Sequence, residues 1–404
     1  SAGTITQNGG ALTVAGTSAF TTSTADQAVT LSNTANALTG AVSLTTSGTA
    51  GDVTIDNGTT ALGVQGTVSG NLALTSGGAI TDSGALNVSG TTTVTTDVDD
   101  ITITLGTLAS TGNVILTTQG TAGDVTIDNG TTALGVQGTV SGNLALTSGG
   151  AITDSGALNV SGTTTVTTDV DDITITLGTL ASTGNVILTT QGTAGNVTID
   201  NGTTALGVQG TVSGNLALTS GEAITDSAAL SVSGTTTVTT DVADKTITLD
   251  TLASTGAVLL TTSGTAGDVV IDNGTTALDL GASTISGTLS ATSGAAAGIV
   301  DSGNIAVSGD VTLTTDANNG VINVGTLQQS GGDLVLTTNG TGDATVVNNA
   351  AIDFGTSSVG GALSATASAG TITQNGGALT VAGTSAFTSG ANAITLSHAS
   401  NDFT

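Results

Sequence analysis

The chain has 404 residues and a net charge of −28, with one Lys, one His and no Pro, Cys, Met, Trp or Tyr. Only 7% of its residues are charged, against about a quarter in ordinary globular domains. Without Lys and Arg to neutralise phosphates, a nucleic-acid partner is excluded and an anionic membrane surface is disfavoured. Cysteine gives no disulfide evidence, there is no positively charged start, and no apolar run approaches ~20 residues. Neither a signal peptide nor membrane insertion is therefore expected, and the chain reads as a mature or excised segment.

In chain order, the first phrase is "SAGTITQNGGALTVAGTSAF" at Ser1–Phe20, which returns at Ser368–Phe387. Val53–Gly123 is then repeated letter for letter as Val125–Gly195. A third copy, Val197–Asp268, differs at ten positions, and a fourth opens at Val269 before diverging. This pattern predicts one continuous repeat region over 1–404. Its near-identical units are 53–124, 125–196 and 197–268, and its diverged units are 1–52 and 269–404.

Within each unit the phrases "NLALTS", "TTVTTD" and "NVILTT" centre on Leu72, Val94 and Val114, and the next begins at Leu144. Each alternates apolar and polar residues and ends in Gly or Asn-Gly, the mark of a short half-buried strand and a turn. No sustained helical pattern occurs. Leu72, Leu74, Ile80, Leu86, Val88, Val94, Ile103, Leu105, Leu108, Val114, Leu116, Val125 and Ile127 are the predicted core.

Short alternating strands at steps of roughly 20 residues, with glycine-rich corners, predict an all-β parallel β-helix with three short strands per coil. About 17 coils at ~4.8 Å each would extend on the order of 80 Å, and one repeat unit would make about three coils. The steps between phrase centres are unequal, and the one from Val114 to Leu144 is clearly the longest. That long step predicts a wide coil or an excursion at Asp128–Gly142. The absence of Pro fits a ladder that needs every N–H. In the third copy, Ile173→Lys245 places the Ile173 position at a strand start near a corner, with Ile175 and Leu177 carrying the core. Gly150→Glu222 and Gly178→Asp250 put charges where turns should be exposed.

Candidate chemistry is sparse. Asp97, Asp99 and Asp100 recur as Asp169, Asp171 and Asp172. Asp97 and Asp99 would share a strand face about 7 Å apart and could grip calcium, but a solvated acidic corner is the simpler reading. The third copy, with Asp241, Ala243 and Asp244 beside Lys245, favours that reading. The Thr91–Thr96 run and Thr102/Thr104 suggest an ice-binding face, which needs a T-x-T in nearly every coil; the neighbouring phrases lack it. Asn57, Asn129, Asn201 and Asn273 each lie in an Asn-Gly-Thr sequence, both a turn signal and a glycosylation sequon. With Lys245 and His398 as the sole basic side chains, no nucleophile–base arrangement is available. No catalytic, cofactor-binding or metal site is assigned.

The stretch Gly70–Thr96, "GNLALTSGGAITDSGALNVSGTTTVTT", has the order G-x-L-x-L, G-x-I, G-x-L-x-V-x-G. It resembles the repeat of filamentous-haemagglutinin-like exoproteins, as does Gly3–Phe20. The resemblance implies a right-handed parallel β-helix and a bacterial extracellular or cell-surface location. It also implies a role in adhesion, aggregation or filament formation, many such proteins leaving the cell by two-partner secretion. The family's secretion domain and an Arg-Gly-Asp motif are both absent from this segment. The expected function is the structural shaft of a surface fibre, not an enzyme. It would self-associate end to end or continue covalently, and a receptor is not named by the sequence. A carbohydrate- or ice-binding face is the alternative, and a polysaccharide-cleaving enzyme a distant third.

Overall fold

A computed structural model describes residues 2–404 in two units, 1–204 and 205–404. The described residues are all-β, without a helix, and within each unit parallel strands stack as turns of a β-solenoid with three strands per coil. The reason is local. Strands such as Leu72–Ser76 and Val114–Gln119 alternate buried and outward positions, so one face of each must be covered. A single coil cannot cover it, and the next coil does.

In unit 1–204 two long ladders run through successive coils. One carries Val53, Leu72, Thr92, Val114 and Val136 in register. Leu134, on the same strand as Val136, takes it on through Ile152, Ile175 and Val197. The other carries Ile80, Ile103, Val125, Leu144, Thr164 and Val186. Shorter rows, Leu86 on Leu108 and Leu158 on Leu180, lie beyond breaks in register within the longest strands. All thirteen predicted core residues are buried, none more than 2% exposed. Ile173 lies just before the strand Ile175–Leu177, half-buried, while Ile175 and Leu177 are fully buried, as the third copy implied.

The long step is not a wide coil. Val114 stacks on Val136, and Leu144 stacks on Val125. The segment expected to be an excursion holds the strand Leu134–Val140, whose Leu134, Val136 and Val140 are all buried. Its alternation is hidden in the sequence by Gly135, Gln137 and Gly138. Gly138 has φ 125°, and a Cβ there would collide with the Leu116 carbonyl oxygen. The chain changes face at that point, which is where register slips between Val136 and Gly138. Glycine is the residue able to make that bend.

It follows that one repeat unit makes three coils and one further face. Leu72 of the first copy stands in the ladder of Val114, whereas its equivalent Leu144 stands in the ladder of Val125. Identical sequences therefore occupy neighbouring faces, not one stripe.

Unit 205–404 repeats the plan. Leu206, Ile224, Ile247, Val269, Leu289, Val311 and Leu334 form one ladder, and Leu216, Thr236, Val258 and Leu280 begin another. Beyond the third copy the core changes character. Phe354 is fully buried beside Leu334 and meets Phe387 edge-to-face, with ring centroids 6.1 Å apart. Phe387 in turn pairs with the small Ala365.

Burial predicts a sharp contrast between neighbours. Leu116→Ala removes a fully buried side chain and should cost about 2–5 kcal/mol. Ile115→Ala, on the outward side of the same strand, should cost no more than ~0.5 kcal/mol. Urea titration of both variants measures the difference, and equal losses would reject this register.

Candidate functional site

Of 29 acidic residues, one is Glu and the rest are Asp. The short side chain matters because these carboxylates reach the backbone of the adjoining coil. At one corner Asp82 accepts from Gly106 N (3.1 Å), Thr107 N (2.5 Å) and Thr107 Oγ1 (2.9 Å). Asp154 and Asp301 do the same for Thr179 and Thr326. At another, Asp52 Oδ1 accepts from Asn71 N (2.7 Å), and Asn71 Oδ1 passes the pattern on to Thr91 N (2.9 Å). Corners are where ladder bonding lapses, so N–H groups there need another acceptor.

The acidic cluster is built the same way. Asp100, Asp172 and Asp244 adopt left-handed backbone with φ of 61–62°, as does Asp26 at 63°. Asp100 Oδ1 accepts from Thr121 N (2.7 Å) and Ala122 N (2.8 Å) of the next coil's loop. Asp172 binds Thr193 N and Ala194 N, and Asp244 binds Thr265 N and Ala266 N. Asn319 occupies the equivalent place, with φ 64° and Oδ1 on Thr341 N (2.8 Å). Asp97 and Asp99 are exposed, on either side of the exposed Val98. Among the described residues no three Asp, Glu, His or Cys side chains gather as a metal site.

Backbone hydrogen bonds from Thr121 and Ala122 hold the Asp100 carboxyl below its ordinary value of 3.8. The corresponding loop bonds lower Asp26, Asp172 and Asp244. Desolvation raises Asp226 and Asp333 instead.

The four Asn-Gly-Thr asparagines are fully buried. Asn129 Oδ1 accepts from Ser110 N (2.8 Å), and its Nδ2 donates to the carbonyls of Ser110 (3.0 Å), Thr132 (3.1 Å) and Ala133 (2.9 Å). The side-chain amide thus takes the place of a peptide group where one face lacks a strand. Asn57 makes the same set with Leu38, Thr60 and Ala61. Asn201 joins Ser182, and Asn273 joins Ser254. Asn348 splices to Gln329 without an Asn-Gly sequence. A sugar on any of the four sequon nitrogens is incompatible with these coils. The Asn-Gly pair signals the turn; the inward lock has no separate signature in sequence.

Lys245 Nζ lies 2.7 Å from Glu222 Oε2. Two changes of the third copy that look unrelated in sequence thus form one ion pair. Its side chains are 29% and 45% exposed, so it contributes at most about 1 kcal/mol. Asp250 is exposed, its backbone N donating to Asp226 Oδ1. His398 is exposed and accepts from Ser400 N at Nδ1. It lies far along the chain from Lys245, and no site contains both.

Stacking aligns threonines more fully than the phrases suggested. Thr75, Thr95, Thr117 and Thr139 form an outward column, as do Thr147, Thr167 and Thr189. The column beside the first holds Ala73, Thr93, Ile115 and Gln137, so T-x-T pairs do not stack. In unit 205–404 an open groove lined by Thr284, Ser286, Ala306, Val307, Gln328 and Ser330 carries no charge. No helix among the described residues is long and apolar enough to cross a membrane.

Parallel coils, a long internal repeat and polar side chains committed to corners define a β-solenoid repeat protein. Residues 1–45, 50–121, 122–193, 194–264, 266–341 and 341–404 match the family described as repeats of unknown function (DUF5649), and the chain belongs to that family. Neither a curated protein nor a solved structure matches it.

A carboxyl with a lowered folded pKa stabilises above its unfolded value, and that contribution is lost as pH falls through the folded value. Asp26, Asp100, Asp172 and Asp244 therefore weaken the fold as pH drops below 3.8. Asp226 and Asp333 act oppositely: their raised values give stability at low pH that is lost as pH rises through them. With four loop clasps on one side, the denaturation midpoint should fall below pH 3.8. At neutral pH Asp100→Asn should hold the loop as Asn319 does, whereas Asp100→Ala should lower the midpoint. Denaturant titration across pH tests both; an Ala variant matching wild type would contradict the clasp.

Proposed function

We propose that this chain is the structural repeat region of a bacterial extracellular or cell-surface fibre that supports adhesion, aggregation or matrix formation. The observation that carries the reading is where the polar chemistry goes. Aspartates and asparagines bind the backbone of adjoining coils at many corners. Copying such coils adds length without a new packing problem. The resemblance of Gly70–Thr96 to filamentous-haemagglutinin-like repeats points to export and to a larger parent, with the receptor-binding regions elsewhere or along the faces. A charge of −28 discourages sideways clumping, which favours continuation from end to end.

A second reading, a ligand-binding face, has the outward threonine columns in its favour. The mixed column beside them counts against a flat two-row lattice.

Antibody against the repeat unit, applied to native cell-surface material for electron microscopy, tests the first reading. Labelled filaments with regularly spaced epitopes are expected. Label confined to compact particles or to the cell interior would reject it.

A further inference from the structure

The sequence contains eight Asn-Gly pairs. Asn8, Asn319, Asn339 and Asn375 are exposed, and Asn57, Asn129, Asn201 and Asn273 are fully buried. We infer that the four buried pairs are modification sites gated by folding: they deamidate spontaneously only in the unfolded chain, and the product cannot close its coil.

The chemistry needs no partner but water. The backbone nitrogen of the glycine attacks the side-chain carbonyl carbon of the asparagine, forming a C–N bond in a cyclic imide. The bond to the side-chain nitrogen breaks, and that nitrogen leaves as ammonia with the proton given up by the glycine. Water then opens the imide to aspartate or isoaspartate. A glycine neighbour offers least hindrance to the attack, which makes these pairs the reactive ones in any flexible chain.

In the folded chain both reacting groups are held. Gly130 N donates to Asp128 Oδ1 (2.9 Å), and Gly58, Gly202 and Gly274 donate to Asp56, Asp200 and Asp272 in the same way. The Asn129 amide is fixed at both ends, accepting from Ser110 N and donating to three carbonyls. Attack requires it to rotate out of all four bonds, and its burial leaves no water to complete hydrolysis.

The product is excluded for a second reason. Aspartate at 129 would set a carboxylate oxygen against the carbonyls of Ser110, Thr132 and Ala133, with no proton to share. A buried charge facing three acceptors is strongly disfavoured. Exposed Asn319 carries no such penalty: it stands where Asp26, Asp100, Asp172 and Asp244 stand elsewhere and makes the same bond to a loop threonine N–H. A copy that folds keeps its splices intact, and one that lingers unfolded is retired.

The full chain should be aged at mildly alkaline pH, one portion folded and one in urea, and amide-to-acid conversions counted by intact mass. The folded portion should stop at four conversions, and the urea portion should continue to eight. After brief denaturation and dilution, the folded-aged chain should regain its β-sheet circular dichroism, and the urea-aged chain should lose most of its refolding yield. Separately, Asn129→Asp should lower the refolding yield several-fold, and Asn319→Asp should leave it unchanged. The inference is overturned if the folded chain passes four conversions at the urea rate. It is equally overturned if the urea-aged chain refolds as well as the folded-aged one, or if N129D refolds as well as N319D.

Discussion

Everything in this fold depends on satisfying backbone N–H and C=O groups between one coil and the next. Within strands the parallel ladder does this. At corners the chain turns, the ladder lapses, and each buried or half-buried N–H left over costs about 1–3 kcal/mol if unmet. Asp and Asn fill that gap. Asp82 reaches the amide of Thr107, Asp100 those of Thr121 and Ala122, and Asn129 stands in for a whole peptide beside Ser110. The acidic composition is therefore a consequence of the architecture. Many of the carboxylates meet the backbone of the coil beside them.

The second constraint is the mismatch between the repeat unit and the coil. Because a unit makes three coils and one face, the first two copies place the same residues on neighbouring faces of unit 1–204. Every inward position must therefore be compatible with whichever ladder it joins. This is why Leu, Ile and Val recur where the coil stays narrow. It also explains how the third copy tolerates drift. Its changes fall at corners and outward positions, and the two most disruptive in type, Glu222 and Lys245, neutralise each other.

Much of this was legible in the sequence. Period-2 alternation is a direct image of a half-buried strand, so every core residue chosen from it is buried. The repeat itself announced a solenoid. What failed was the reading of the long step as one coil, because "LGVQGTV" hides three inward residues behind two glycines and a glutamine, and a chain that bends between faces does not alternate. The asparagine splice was half legible: Asn-Gly marks a turn, but an inward-facing amide has no periodicity to betray it. The role of the Asp97–Asp100 cluster was hidden for a related reason. Charge is visible in sequence, whereas the φ of 62° that turns Asp100 back onto a neighbouring loop is not. The exposed Val98 likewise breaks the alternation at that same turn.

The register of coils is open to one direct measurement, since the chain has no cysteine of its own. Ile115 and Gln137 are outward partners on adjoining strands, about 4.8 Å apart across a parallel ladder and within reach of a disulfide. Under mild oxidation the pair Ile115→Cys with Gln137→Cys should cross-link within the chain without loss of stability. The pair Ile115→Cys with Ala145→Cys, which one wide coil from Val114 to Leu144 would bring together, should remain reduced. Cross-linking of the second pair and not the first would contradict the stacking from which every other conclusion follows.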